Sequence, residues 1–315
     1  MHTAKNKILV PIDFEEQAMN ALYHSYELAR LFDADLIFLY VIENTHVFGK
    51  LRSPEEYFKK VLAEAHERFD ELEKLARDIA PKSSVKVSVI IEKGKPYEKI
   101  IETASDYEAL LIVMGKNSSS TQGKTPKFIG SNTMNVVRDA HCPVVTIRDK
   151  VPKPGCFKTI LLPLDFTRQT KKQVQKAIEL GGYFNAKISV LSVVTGENKV
   201  TRLLKQVQLN QVKNAIQRHG IACSTDIVQT KTQEVADTVI DYSHKVKADL
   251  IIIMTQQKKR FVSFYVGSTA QDIIYKSSVP VLSIVPTAEF RPGVVTSMVD
   301  PFGLINKKSV GPDEE

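Results

Sequence analysis

The sequence predicts an α/β protein made of two tandem doubly wound parallel-sheet domains, each with about five strands and flanking helices. Three observations carry that prediction. Segments of the first half return in the same order in the second. Strand-length apolar runs alternate with amphipathic helical stretches throughout both halves. Several of those runs are apolar on both faces, as parallel strands covered by helices on each side must be.

The repeat comes first, because a missed duplication misassigns the whole fold. Ile8-Leu-Val-Pro-Ile-Asp-Phe14 returns as Ile160-Leu-Leu-Pro-Leu-Asp-Phe166, with five of seven residues identical. Ala109-Leu-Leu-Ile-Val-Met114 returns loosely as Asp249-Leu-Ile-Ile-Ile-Met254. Gly130-Ser131 followed by Cys142-Pro-Val-Val-Thr-Ile147 returns as Gly267-Ser268 followed by Val279-Pro-Val-Leu-Ser-Ile284. The offset between copies falls from 152 to 137 residues, so the second copy is shorter in its middle.

In the first copy, strands are predicted at Lys7–Ile12, Asp35–Val41, Val85–Ile91, Leu110–Met114 and Val144–Ile147. Helices fall between them. Ala18–Phe32 sets Leu22, Tyr26 and Ala29 on one stripe. Ser53-Pro54-Glu55-Glu56 reads as a helix start, with a serine cap, proline at the first position and a glutamate reaching back. A stripe from Phe58 through Val61, Leu62, Ala65, Phe69, Leu72 and Leu75 to Ile79 then ends before Pro81. Tyr97–Ser105 and Ser131–Ala140 complete the copy. The second copy predicts strands at Thr159–Leu164, Lys187–Val194, Cys223–Gln229, Leu250–Met254 and Val281–Val285. Its helices are predicted at Lys171–Tyr183, Val200–His219, Thr232–Val246 and Ser268–Ser277. Arg148–Phe157, with two prolines and a glycine, reads as a linker. The expected domains are therefore 1–150 and 151–286, with 287–315 an irregular tail.

Composition narrows the function classes. No run of ~18 apolar residues exists, which predicts no membrane span. MHTAKNKILVPID passes directly into a strand pattern, predicting no secretory leader. Cys142, Cys156 and Cys223 lie far apart with no CxxC pair, which fits neither a disulfide framework nor a zinc site and predicts a reducing cytoplasm. Residues 1–150 carry 21 basic and 22 acidic side chains, and the remainder 22 and 14, so the net charge of +7 sits in the second half. Those charges are scattered rather than striped, and no aromatic-interleaved basic motif argues for nucleic acid.

Ligands of open parallel sheets bind at the carboxyl ends of the strands, where strand order reverses. Asp13 follows the first strand and is expected there. It reads equally as a helix cap forming a capping box with Glu16, or as a ligand contact, and its recurrence at Asp165 without a matching glutamate favours the second. Met114-Gly115-Lys-Asn-Ser118 leads into a polar Gly/Ser/Lys loop that ends at Gly130-Ser131-Asn132, opening a helix. Glycine admits a close phosphate, and a helix N-terminus supplies free N–H groups and a favourable dipole. Ser131 is expected to cap that helix and reach a phosphate oxygen. The plainer reading is a flexible surface loop. No HxxxH or His/Cys spacing suggests a metal, and no nucleophile elbow, P-loop or kinase set is present.

These motifs resemble those of a tandem universal stress protein. That family has an Asp after strand one, then Gly-x2-Gly-x9-Gly-Ser/Thr after strand four, a helix and a Pro-Val strand. The resemblance covers residues 5–147 and 157–285. It implies a cytoplasmic stress-response protein with an adenine-nucleotide alpha-hydrolase-like fold that binds ATP or AMP. By resemblance, Pro11, Asp13 and Val41 frame adenine and ribose, while Met114, Gly115, Ser118, Gly130, Ser131 and Asn132 line the phosphate side. Ser118 stands where the family has its second glycine, and eleven residues rather than nine separate it from Gly130, with Gly123 between. In the second copy that stretch is Thr255-Gln-Gln-Lys258-Lys-Arg260, leaving a weaker site of Asp165, Lys258, Gly267, Ser268 and Thr269. The expectation is one nucleotide per chain, in the first half.

The resemblance also implies that the final strands, which pair across the family dimer, pair here within one chain as a pseudo-dimer, with a homodimer as a further possibility. Two other readings stay open: a nucleotide-independent scaffold for an unidentified protein partner, and a slow ATPase with Mg2+ held near Asp13.

Overall fold

In the computed structural model, strands and helices alternate as the hydrophobic pattern requires. The structure describes residues 6–43, 54–79, 85–116, 130–149, 157–167, 170–196, 199–231, 234–257 and 264–284. Ser118, Lys258 and the tail 287–315 lie outside those residues.

The first copy runs β1 (Asn6–Pro11), α1 (Glu16–Leu31), β2 (Ala34–Glu43), α2 (Pro54–Ile79), β3 (Val87–Gly94), α3 (Pro96–Asp106), β4 (Leu111–Gly115), α4 (Ser131–Asp139) and β5 (Val144–Ile147). The second runs β6 (Thr159–Pro163), α5 (Thr170–Phe184), β7 (Lys187–Thr195), α6 (Lys199–Gln217), β8 (Cys223–Thr230), α7 (Val235–Lys245) and β9 (Leu250–Met254). A short hairpin, β10 (Gln256–Gln257) and β11 (Phe264–Tyr265), precedes α8 (Ser268–Lys276) and β12 (Val281–Ile284). The sequence pattern does not predict that hairpin, since two-residue strands are too short to leave a period-2 signature.

Packing divides the chain into two compact units, one joining Met1–Cys156 to Thr255–Val285 and the other holding Phe157–Met254. In the first unit the strand order is β3-β2-β1-β4-β5-β12. All neighbours are parallel except β5 and β12, which pair antiparallel with Leu282 opposite Val145. The expected pairing of the final strands within one chain is thus present, and it removes β5 as an open edge. In the second unit the order is β9-β6-β7-β8, all parallel.

The chain steps outward from β1 through β2 to β3, then returns to the other side of β1 for β4. Right-handed crossovers in opposite directions send α1 and α2 to one face of the sheet and α3 and α4 to the other. Accordingly, α3 and α4 pack against each other. The central strands carry the core: Ile8, Leu9, Val10, Ile112 and Val113 are fully buried.

The duplication extends to backbone conformation. Phe14, Asp33 and Glu108 have φ of 63°, 46° and 49°, and Phe166, Asn185 and Lys247 have 58°, 48° and 53°. The left-handed region disfavours side chains, especially a phenylalanine, so its recurrence at equivalent places marks a turn that both copies require. On α2 the apolar stripe is not wholly a core face. Leu72 is buried, whereas Leu62 and Phe69 remain 57% and 42% exposed.

Candidate functional site

A cleft of about 100 Å³ opens at the carboxyl ends of β1 and β4, where the strand order of the first unit reverses. From β1 and its turn come Pro11, Ile12 and Asp13. Leu39, Tyr40, Val41 and Glu43 come from β2, and Met114 and Gly115 from β4. Gly130, Asn132 and Thr133, at the start of α4, close the far side, with Pro96 and Ile100 of α3 beneath.

Of the positions singled out in the first copy, Pro11, Asp13, Val41, Met114, Gly115, Gly130 and Asn132 therefore line one cleft. Ser131 does not: it is exposed as the first residue of α4. Its expected capping role is corrected too. Gly130 is the N-cap, extended at φ −55° and ψ 136°, and no side chain caps the helix. The initial N–H groups of α4 are thus left without a capping side chain at the edge of the cleft.

The capping box of Asp13 and Glu16 is likewise absent. The left-handed Phe14 inserts a turn, so the N-cap falls on Glu15 and makes no side-chain cap bond. Asp13 instead accepts the Glu15 N–H at 3.0 Å, two residues on. Asp165 accepts the Thr167 N–H at 3.1 Å in the same way. Asp13 is exposed, yet neighbouring protein atoms displace enough water to raise its carboxyl above the usual range, against the lowering effect of the Glu15 N–H.

A cation braces this turn in each copy. The Arg68 guanidinium of α2 lies 4.8 Å from the Phe14 ring and 5.8 Å from Tyr40, whose ring is 5.7 Å from Phe14. Arg68 also donates to Glu71 at 2.7 Å, and the Tyr40 hydroxyl donates to Glu64 at 2.9 Å. In the second copy Lys205 of α6 sits 4.6 Å over Phe166 and donates to the Asp165 carbonyl at 2.8 Å. Burial pulls the Lys205 ammonium below its ordinary range, partly countered by Asp165.

Gly115 has a reason that the loop pattern did not contain. A Cβ there would lie 2.9 Å from the Gln17 carbonyl carbon and 3.0 Å from the Ala18 nitrogen. The glycine lets α1 pass close over the end of β4. Thr133 Oγ1 donates to the Gly115 carbonyl at 3.2 Å and ties α4 to the same strand end. Neither Thr133 nor Tyr40 stands out in the sequence, because each looks like an ordinary helix or strand residue until its neighbours are assembled.

The residue after Gly115 is a lysine that is 1% exposed. Lys116 Nζ donates to the Ser277 carbonyl at 2.5 Å. Desolvation pushes its pKa down to about 7, Arg148 acts in the same direction and Asp149 opposes it.

The second copy differs at the equivalent places. Thr255 stands where Gly115 does, is fully buried, and donates through Oγ1 to the Ile284 carbonyl at 3.2 Å. The β10–β11 hairpin begins where the first copy has its glycine loop, and β11 lies against α4. Asp165 belongs to the second unit, and Gly267, Ser268 and Thr269 to the first. Among the described residues no group of three His, Cys, Asp or Glu side chains is placed to hold a metal, and no helix is long and apolar enough to cross a membrane.

An open parallel sheet with reversed strand order and a cleft at its carboxyl ends defines a doubly wound α/β protein. The chain belongs to the universal stress protein family, whose sequence pattern matches residues 5–148 and again 157–284. Universal stress protein MJ0531 of Methanocaldococcus jannaschii is 31% identical over 146 residues, covering 45% of this chain and 81% of that protein. Universal stress protein MJ0577 of the same organism is 29% identical over 166 residues, covering 48% and 99%. The crystal structure of a universal stress protein from Archaeoglobus fulgidus superposes with a TM-score of 0.70 at 20% identity, covering 90% of this chain and 97% of that one.

Proposed function

We propose that the first-copy cleft binds an adenine nucleotide, ATP or AMP, and that the protein acts in the cytoplasm as a stress-response regulator or interaction module. The observation that carries this reading is the composition of the cleft. Its floor and walls are apolar, from Pro11, Ile12, Leu39, Val41 and Met114, which suits a planar base. Asp13 stands at the rim as a hydroxyl acceptor for ribose. The N-terminus of α4, at Asn132, supplies an N–H group and a positive dipole end for phosphates. The paired final strands are read as the in-chain counterpart of a dimer contact.

Titration calorimetry with ATP and AMP tests the assignment. Binding is expected with one site per chain, and Gly130→Glu is expected to weaken it at least about tenfold by placing a carboxylate beside the phosphates. Absence of binding at millimolar nucleotide, or unchanged affinity in Gly130→Glu, would refute it. A nucleotide-independent scaffold is the second reading. Thr255 and the hairpin, which replace the glycine loop in the second copy, favour it for that copy alone.

A further inference from the structure

The first-copy cleft is lined by two carboxylates, Asp13 and Glu43, and among the described residues by no lysine, arginine or histidine. Charge on its surface alone would therefore repel a polyanion. Cations on the elements around it are already matched. Arg68 donates to Glu71, Lys95 to Glu98 and Lys99 to Glu102.

A different cation stands behind the wall. Lys116 follows Gly115 at the end of β4 and is buried. Its backbone is built into the α4 side of the cleft. The carbonyl accepts the Gly130 N–H at 3.3 Å, and the Lys116 N–H reaches the Ile147 carbonyl at 3.1 Å and Gln17 Oε1 at 3.2 Å. Its Nζ meets the Ser277 carbonyl, at the C-cap of α8, rather than a carboxylate. That helix end is the negative pole of a dipole, which holds an ammonium without cancelling its full charge.

The charged groups facing Lys116 are few. Arg148 and Asp149 follow β5, and Lys276 ends α8, its carbonyl accepting from Arg148. Gln17 of α1 and Gly130 are uncharged. Burial lowers the Lys116 pKa to about 7, with Arg148 acting the same way and Asp149 against it. The ammonium is thus poised, and a modest external field changes its protonation.

The bonding pattern bounds the distance. An extended lysine carries its nitrogen roughly 6 Å from Cα, and the Lys116 carbonyl is bonded to Gly130, so Nζ lies within roughly 12 Å of the Gly130 nitrogen. Across protein of effective dielectric about 20, one unit of negative charge at that range shifts a protonation equilibrium roughly tenfold.

We infer that Lys116 is the hidden counter-charge for a nucleotide's phosphates, a buried amine behind the Gly115–Gly130 wall that takes up a proton from solvent when the nucleotide binds. This rests on the reading of the cleft as a nucleotide site. An anion favours the ammonium, so the protonated protein binds more tightly and affinity rises as pH falls through about 7.

Titration calorimetry of the full chain with ATP, in buffers of different ionisation enthalpy, counts the proton. Uptake of about half a proton per nucleotide is expected at a pH of about 7.5. Lys116→Met should abolish that uptake. Wild-type affinity should exceed that of the variant about tenfold at a pH of about 6 and match it at a pH of about 9.5. Ionisation of ATP itself is common to both proteins and cancels in the ratio. Should the variant fold poorly, the wild-type proton count still decides the matter. ATP binding without proton uptake, or an affinity ratio that does not change with pH, overturns the inference and leaves the nucleotide reading standing. Absence of ATP binding would instead remove the nucleotide reading, and the inference with it.

Discussion

Replacing Lys116 by methionine should stabilise the protein at neutral pH and destabilise it in alkali. The lysine is enclosed, with its Nζ on the Ser277 carbonyl and its pKa lowered from 10.5 to about 7. A folded-state pKa below the unfolded value means the unfolded chain takes up a proton first. The resulting penalty is absent above the unfolded pKa, grows as pH falls from 10.5 to about 7, and is constant below. At 1.36 kcal/mol per unit it amounts to roughly 5 kcal/mol at pH 7. Methionine has similar volume and no charge, but it leaves the Ser277 carbonyl without its donor, which costs about 1–3 kcal/mol. The net gain for Lys116→Met is therefore about 2–4 kcal/mol at pH 7. At pH 10.5 only the lost hydrogen bond remains, and the sign reverses. Urea-unfolding curves of both proteins at the two pH values measure this, and taking the difference cancels all other titrating groups. An equal effect at both pH values, or a destabilised variant at pH 7, would show that the lysine is not held neutral by burial.

Two further outcomes follow from the same packing. Gly115→Ala forces a Cβ against the Gln17 and Ala18 backbone, so a loss of about 1–3 kcal/mol is expected in thermal unfolding, together with weaker nucleotide binding as α1 shifts over the cleft. An unshifted melting temperature would contradict the close approach. His24 is 1% exposed, and desolvation lowers its pKa to about 4. Its stabilising contribution is complete above pH 6.5 and is lost as the pH falls to about 4, a change of about 3 kcal/mol. His24→Leu should flatten the stability profile in that window, and an identical acid limb in both proteins would dismiss the assignment.

Much of the fold was legible because hydrophobic periodicity is a local property of the chain. The strand predicted at Leu250–Met254 is observed with the same bounds, and most others shift by one or two residues at their ends. The helix start at Pro54 was readable from proline at the first position. Errors arose where a local rule met a tertiary constraint. Asp13 followed by Glu16 is a reasonable capping box, yet Phe14 takes a left-handed conformation braced by Arg68 and Tyr40, and the helix starts later. Leu62 and Phe69 fit a core stripe by spacing, but only the packed sheet shows how little of α2 it covers.

By itself the sequence determined the duplication and the alternation of strand and helix, and it pointed to the strand ends that line the cleft, since repeated motifs and apolar periods depend only on neighbours along the chain. Tertiary structure alone decided the rest. It brought β12 against β5, closed Thr133 onto Gly115, and enclosed Lys116 under the end of α8. It also gave Gly115 a packing reason, the close passage of α1. Those contacts join residues far apart in the chain, and no property of either segment alone encodes the distance between them.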